Sequence, residues 1–200
     1  MSKHETDHTQ RQLRNLWNER YAEQDRTPRP AEVLLLNRHL LPKKGVVLDL
    51  ACGLGGNALT LARYGLDVLA WDISPVAIER LREYAKEEGV ANLKAEVRDV
   101  ENHPPQTERF DLIIVSYYLE RALIAPLIEA LKPGGLIFYQ TFTQVAVSPE
   151  GPKNSLFRLD DNELLELFRG LKLRFYREEG LLGDVEQGCR NVAMLVAEKP

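Results

Sequence analysis

The chain has 200 residues; 44% are apolar and 28% charged, and 30 acidic against 26 basic side chains leave a net charge of −4. These are the proportions of an ordinary globular domain, and they argue against a largely disordered chain, a collagen or a membrane protein. A protein whose main ligand is a nucleic-acid backbone carries a basic excess, which is missing here and makes nucleic acid an unfavoured partner.

In chain order, residues 1 to about 10 read as a polar, frayed tail. Leu13, Leu16 and Trp17, spaced i, i+3, i+4, predict a short helix over Gln12–Ala22. DRTPRP follows, with two prolines that an interior helix rejects. A second helix is expected over Ala31–Leu41, stopped by Pro42. From Gly45 strands and helices alternate: strand VVLDL, helix Ala58–Tyr64, strand DVLAWD, helix Val76–Glu88 with Ser74-Pro75 as N-cap and first turn, then strand LKAEVRD. Strand FDLIIVS, helix Leu123–Leu131, strand LIFYQTF and helix Asp161–Phe168 with Asp160 as N-cap continue the pattern. LKLRFYRE and NVAMLVAEK close the chain as a sixth and a seventh strand. With no helical pattern between them, they are expected to pair as an antiparallel hairpin across Glu178–Arg190. Such alternation predicts a doubly wound α/β fold, a mostly parallel sheet with helices on both faces.

Cys52 and Cys189 are far apart, and His4, His8, His39 and His103 show no ligand spacing, so no metal site is expected. No apolar run approaches the ~18 residues that cross a bilayer, and MSKHETDHTQ lacks the apolar core of a secretion signal. The expected location is the cytoplasm, with no membrane partner and both thiols reduced.

The strongest chemical signal is VVLDLACGLGGNALTLA, a strand running through a glycine-rich turn into a helix. Gly53, Gly55 and Gly56 allow tight turning and close approach of a ligand to bare backbone. Asp72 closes the second strand, where a carboxylate accepts hydrogen bonds from a ribose diol, and Asp99 closes the third. Asp49 lies just before the loop. A carboxylate there repels a pyrophosphate and attracts a cationic amino acid, which favours S-adenosylmethionine (SAM) over a nicotinamide dinucleotide. Any one of these acids alone reads as a cap or turn residue; the set in register with the loop reads as a ligand rim.

The ordered motifs DLACGLGGN, AWDIS, VRDVEN, FDLIIVSYYLE and LKPGGLIFYQTF resemble those of class I SAM-dependent methyltransferases, from about Tyr21 to the C-terminus. The family fold is a Rossmann-like sheet of seven strands with the last antiparallel. Within the family, WNERYAEQDRTPRPAEVL and NVAMLVAEKP resemble the small tellurite-resistance (TehB-like) enzymes. Gly56 stands where that subfamily's loop commonly has arginine, the late-loop histidine is absent from LLGDVEQGCRN, and Arg190 matches a late arginine. The resemblance implies SAM as cofactor, S-adenosylhomocysteine (SAH) as product, and an N-terminal tail, helix and lid (1–30) before a methyltransferase domain (31–200). It implies that Asp49, Ala51, Gly53 and Gly55 hold the methionine end, Asp72 the ribose, and Ile73, Asp99 and Val100 the adenine. Ser116 would line the methyl-transfer face, and Tyr21 would close the pocket. Asn57 reads equally as a helix cap or a ligand contact. Arg26 and Arg29 are lid candidates.

No general base is evident, and an acceptor that is already nucleophilic needs none, because alignment carries much of the catalysis. Candidates for the acceptor pocket are Tyr117 and Tyr118 as walls, and Arg121, Arg158 and Arg190 as guanidinium groups for an anionic acceptor. Trp17 reads as helix packing. The expected acceptor is a small molecule, a thiol, metalloid oxyanion or small acid, taken by a monomer or homodimer. The alternatives are an RNA or protein methyltransferase and a non-catalytic SAM-binding module.

Overall fold

The computed structural model describes residues 3–24 and 28–200, with side chains from residue 10 onward. Arg26, one of the lid candidates, lies outside the described residues. The elements are α1 (Lys3–Glu23), α2 (Glu32–Leu36), β1 (Val46–Leu50), α3 (Gly56–Arg63), β2 (Asp67–Asp72), α4 (Pro75–Glu87) and β3 (Leu93–Val97). They continue as β4 (Phe110–Ser116), α5 (Ile124–Ala130), β5 (Leu131–Phe142), α6 (Glu163–Leu167), β6 (Lys172–Glu178) and β7 (Val192–Glu198).

The seven strands form one sheet in the order β3-β2-β1-β4-β5-β7-β6. The pairs among β1 to β5 are parallel, and β7 runs antiparallel to both β5 and β6. The order reverses beside β1, so β1 and β4 part at their carboxyl ends and leave a crevice there. Alternation along the strands divides the core. Val47, Ile114 and Phe138 pack with α2, α3 and α4 on one face. Leu48, Ile113, Val115 and Tyr139 pack with α5 and α6 on the other. Leu34, Leu61 and Leu127 show how completely these helices are sunk, at 0%, 0% and 2% exposure. Truncating such a leucine to alanine typically costs about 2–5 kcal/mol.

Several local expectations change. Lys3–Glu23 is one continuous helix, where the sequence suggested a frayed tail followed by a shorter helix. The helix expected over Ala31–Leu41 ends at Leu36, followed by one 3-10 turn over Arg38–Leu40. Buried Asn37 is the reason: its side-chain Nδ2 donates to the Val33 carbonyl at 2.9 Å and takes an acceptor that a continuing helix would use. Asp160 does not cap α6; Asn162 holds the N-cap position in a left-handed conformation, and Asp160 accepts instead from Gln144 Nε2 at 2.6 Å. LKPGG belongs to β5 as a bulge, since Leu131 pairs with Phe110 and the next partners are Leu136 and Leu112. Ser74 does cap α4, accepting from the Ala77 amide at 3.2 Å with Pro75 in the first turn. Among the described residues, no helix is long and apolar enough to cross a membrane and no cluster of metal-ligating side chains occurs.

Candidate functional site

The crevice at the carboxyl ends of β1, β2 and β4 opens into a cavity of about 640 Å³, roofed by the end of α1 and the segment 28–31. The β1–α3 loop forms its floor and is fastened to the tip of β2. The Cys52 amide donates to the Trp71 carbonyl at 3.0 Å. The Gly53 amide donates to Asp72 Oδ2 at 2.8 Å, and the Ser74 amide to Asp72 Oδ1 at 2.9 Å. Each Asp72 oxygen therefore keeps lone-pair capacity for a further donor. Ala51, with φ 55°, and Gly53, with φ 53°, turn this loop through left-handed backbone. At Gly53 the approach is also close: a Cβ would lie 2.8 Å from the Tyr21 hydroxyl, which α1 brings down onto the loop.

Asp49 lies beneath this floor, fully buried on β1. Its Oδ2 accepts from the Ala58 amide at 2.9 Å, while its Oδ1 is buried with no hydrogen-bond partner. Burial pushes its pKa from 3.8 to about 7. Burial also raises Asp72, against the pull of its backbone N–H partners. A cation nearby relieves both groups, because it favours the charged form. Cys52 is buried, and desolvation holds its thiol well above the ordinary range.

Beyond the tip of β2 the cavity is walled by Trp71, Ile73, Arg98, Asp99, Val100 and Glu101. Arg98 lies over the Trp71 ring at 3.9 Å and donates to the carbonyls of His103 and Pro104. Asp99 Oδ1 accepts from the amides of Glu101 and Asn102, at 3.1 and 3.2 Å, which sets the turn that presents Val100. At the other end, Ser116 and Tyr117 leave β4 beside Asn57, and Tyr117 packs against Phe142 with ring centroids 5.0 Å apart. Two buried acids, one with an orphaned oxygen, fit a cationic, ribose-bearing ligand such as SAM.

A family model describing a methyltransferase domain matches residues 47–135, the segment that builds the floor, both acids and the β4 wall. The probable SAM-dependent methyltransferase TehB of Haemophilus influenzae is 28% identical over 158 residues, covering 76% of this chain and 54% of that protein. The 2-heptyl-1-hydroxyquinolin-4(1H)-one methyltransferase of Mycobacteroides abscessus is 31% identical over 113 residues, covering 53% of this chain and 50% of that protein. The chain spans about half the length of these curated relatives. The crystal structure of Haemophilus influenzae TehB superposes with a TM-score of 0.71 at 24% identity, over 92% of this chain and 67% of that one. The fold is thus that of the SAM-dependent methyltransferases, with the last strand antiparallel as the sequence led us to expect.

The cavity is lined by Tyr21, Ala51, Gly53, Gly55, Asp72, Ile73, Asp99, Val100 and Ser116. Asp49 lies behind the lining, beneath the loop. Of the acceptor candidates, Tyr117 and Tyr118 line the cavity. The three arginines do not, and their guanidinium groups hold loops together. Arg121 makes a two-pronged pair with Glu163, at 2.6 and 2.9 Å, and donates to the Leu156 and Arg158 carbonyls. Arg158 ties the carbonyls of Pro152, Thr143 and Glu150. Arg190 gathers the carbonyls of Gln187, Gly180, Leu182 and Asp184 and so organises the β6–β7 connection.

Sequence reasoning missed other lining residues. Trp17 stacks on Tyr21 at 5.6 Å and faces the cavity as well as packing its helix. Arg98 and Glu101 line it from the turn after β3, and the only signal was their nearness to Asp99. Asn57, left open between cap and ligand contact, both lines the cavity and bridges two elements; Gly55 holds the α3 N-cap position. Gly56 has a tertiary reason: a Cβ there would lie 2.1 Å from the Arg29 carbonyl oxygen. The space that the TehB-like loop arginine would enter is taken by the backbone of the roof.

Proposed function

We propose that this chain is a SAM-dependent methyltransferase acting on a small molecule held between the SAM site and the β4 wall. The observation that carries this reading is the pair of buried carboxylates at a cavity of about 640 Å³, Asp72 lining it and bracing the glycine loop and Asp49 beneath that loop with an unpartnered Oδ1. When bound, SAM supplies a methyl group on a sulfonium: the acceptor's lone pair takes the carbon, and the bonding pair stays on sulfur. Asp49 and the loop amides hold the amino-acid end, Asp72 the ribose, and Ile73, Asp99 and Val100 the adenine. Tyr21, Trp17 and the 28–31 segment exclude water, which strengthens every polar contact inside.

A small acceptor is supported by the cavity's size and by the relatives, one acting on a hydroxyquinolone and others named as ubiquinone biosynthesis O-methyltransferases. A metalloid oxyanion held by Arg190 loses support, because that guanidinium is taken up by loop carbonyls. We place the enzyme in the cytoplasm, whose reducing conditions suit its two free thiols. We read α1 and the segment 28–31 as the cover of the site. Calorimetric titration with SAM, SAH and NAD tests the reading: micromolar binding of the first two without NAD supports it, and no binding of either overturns it.

A further inference from the structure

Two side-chain amides bridge the roof of the cavity to its acceptor wall in the same way. The Ala31 amide donates to Asn57 Oδ1 at 2.8 Å, and Asn57 Nδ2 donates to Ser116 Oγ at 2.9 Å. The Val33 amide donates to Gln140 Oε1 at 2.8 Å, and Gln140 Nε2 donates to the Tyr117 hydroxyl at 2.8 Å. Asn57 and Gln140 are 5% and 0% exposed, so neither amide has water as an alternative partner. The backbone N–H groups only donate, which fixes each amide's oxygen toward the roof and its NH₂ toward the wall. An NH₂ in turn only donates, so both hydroxyl oxygens accept from it. Each hydroxyl proton must then go elsewhere, and among the described residues neither Ser116 Oγ nor Tyr117 Oη donates to any group. Both side chains line the cavity.

The Tyr117 geometry is held on purpose-built contacts. Its φ of 58° is left-handed for a non-glycine residue, a conformation costing on the order of 1–3 kcal/mol that persists only where its surroundings impose it. Gln140 imposes it at both ends, since its carbonyl also accepts the Tyr117 amide at 2.8 Å. Burial, then Glu32, raises the Tyr117 pKa, so the phenol stays protonated and able to donate.

We propose that Asn57 and Gln140 are positioning residues that aim the Ser116 and Tyr117 hydroxyls as paired donors at the methyl acceptor, which is an oxyanion of the phenolate or enolate class. Two donors converging on one oxygen stabilise its anionic form and leave a lone pair for the methyl carbon. No general base is needed when the acceptor binds already deprotonated. The proposal rests on the methyltransferase reading and goes beyond it by naming the acceptor chemistry and the residues that select it.

The test uses 4-nitrophenol, whose phenolate is read by its visible absorbance, titrated onto the full-length protein saturated with SAH. The wild-type protein should bind the phenolate in preference to the phenol and lower the probe's apparent pKa. Tyr117→Phe should weaken phenolate binding by about tenfold or more, the loss expected for one hydrogen bond to a charged group. Gln140→Glu keeps an oxygen for the Val33 amide but turns the Tyr117 proton back toward its own carboxylate, so it should lose phenolate preference with the tyrosine still in place. Nitrobenzene, the same ring without the oxyanion, should bind wild type and Tyr117→Phe alike. SAH affinity and thermal melting, measured on each variant, separate a lost donor from a lost fold. If the SAH-loaded protein does not bind the phenolate, or binds it equally with and without the Tyr117 hydroxyl, the proposal is overturned. Failure to bind SAH at all overturns the methyltransferase reading instead.

Discussion

Replacing Asp49 with asparagine should stabilise the ligand-free protein while weakening its grip on SAM. The side chain is fully buried, one carboxylate oxygen has no partner, and burial raises its pKa from 3.8 to about 7. The folded state therefore keeps the proton up to about pH 7, while the unfolded chain releases it near 3.8. Between those values the unfolded state is the more ionised, so rising pH favours unfolding, and the penalty reaches full size above pH 7. At about 1.4 kcal/mol for each tenfold change, the wild-type penalty is about 2 kcal/mol at pH 5 and about 4 kcal/mol at pH 8. Asparagine has no such penalty. Urea unfolding of both proteins at pH 5 and pH 8 measures the difference, and contributions from titrating groups remote from Asp49 cancel in it. The stability gain of Asp49→Asn should widen by about 2–3 kcal/mol between the two pH values. A gain that is constant with pH, or a variant that is less stable at pH 8, would refute a buried carboxylate with one unpaired oxygen. Calorimetry on the same samples should show weaker SAM binding, as expected where a site keeps a destabilising charge for its ligand.

Three further outcomes follow from the same geometry. Asp72→Ala leaves the Gly53 and Ser74 amides unpaired, at about 1–3 kcal/mol each, so both the melting temperature and SAM binding should fall; unchanged binding would remove Asp72 from the site. Gly56→Arg, which restores the TehB-like loop residue, drives a Cβ to 2.1 Å from the Arg29 carbonyl oxygen and should cost about 1–3 kcal/mol in urea unfolding; a neutral result would mean that the roof segment yields freely. Arg121→Ala breaks a partly exposed pair with Glu163 and should cost about 1 kcal/mol of stability, with SAM affinity unchanged in calorimetry; a loss of affinity would contradict its placement outside the cavity.

Much of the fold is legible in the sequence because burial leaves period and punctuation in it. The apolar runs of β1, β4 and β7 mark strands covered on both faces. Ser74-Pro75 marks the start of α4 through a cap that is local chemistry. The errors fall where a distant or competing bond decides. Asn37 ends α2 by taking the Val33 carbonyl, and the KPGG stretch joins β5 as a bulge because Phe110 pairs with Leu131.

The site divides in the same way. The glycine-loop side is written locally: a strand tip, a glycine turn and acids at successive strand ends occupy stereotyped places, so spacing alone assembles them. The β4 side is not. Arginine at 121, 158 or 190 reads equally as ligand or loop staple, and only the tertiary structure shows each guanidinium surrounded by carbonyls or paired with Glu163. Gln140, inside an apolar strand, looks in sequence like an interruption of that strand. The fold sets it 2.8 Å from both the Val33 amide and the Tyr117 hydroxyl. Hydrogen bonds that join residues 107 and 23 positions apart leave no period in a sequence. The sequence by itself determined the sheet and the glycine-loop floor, because those depend on local pattern; the β4 wall and its hydrogen bonds to the roof were decided by packing, because directional bonds between distant segments form only once the chain has closed.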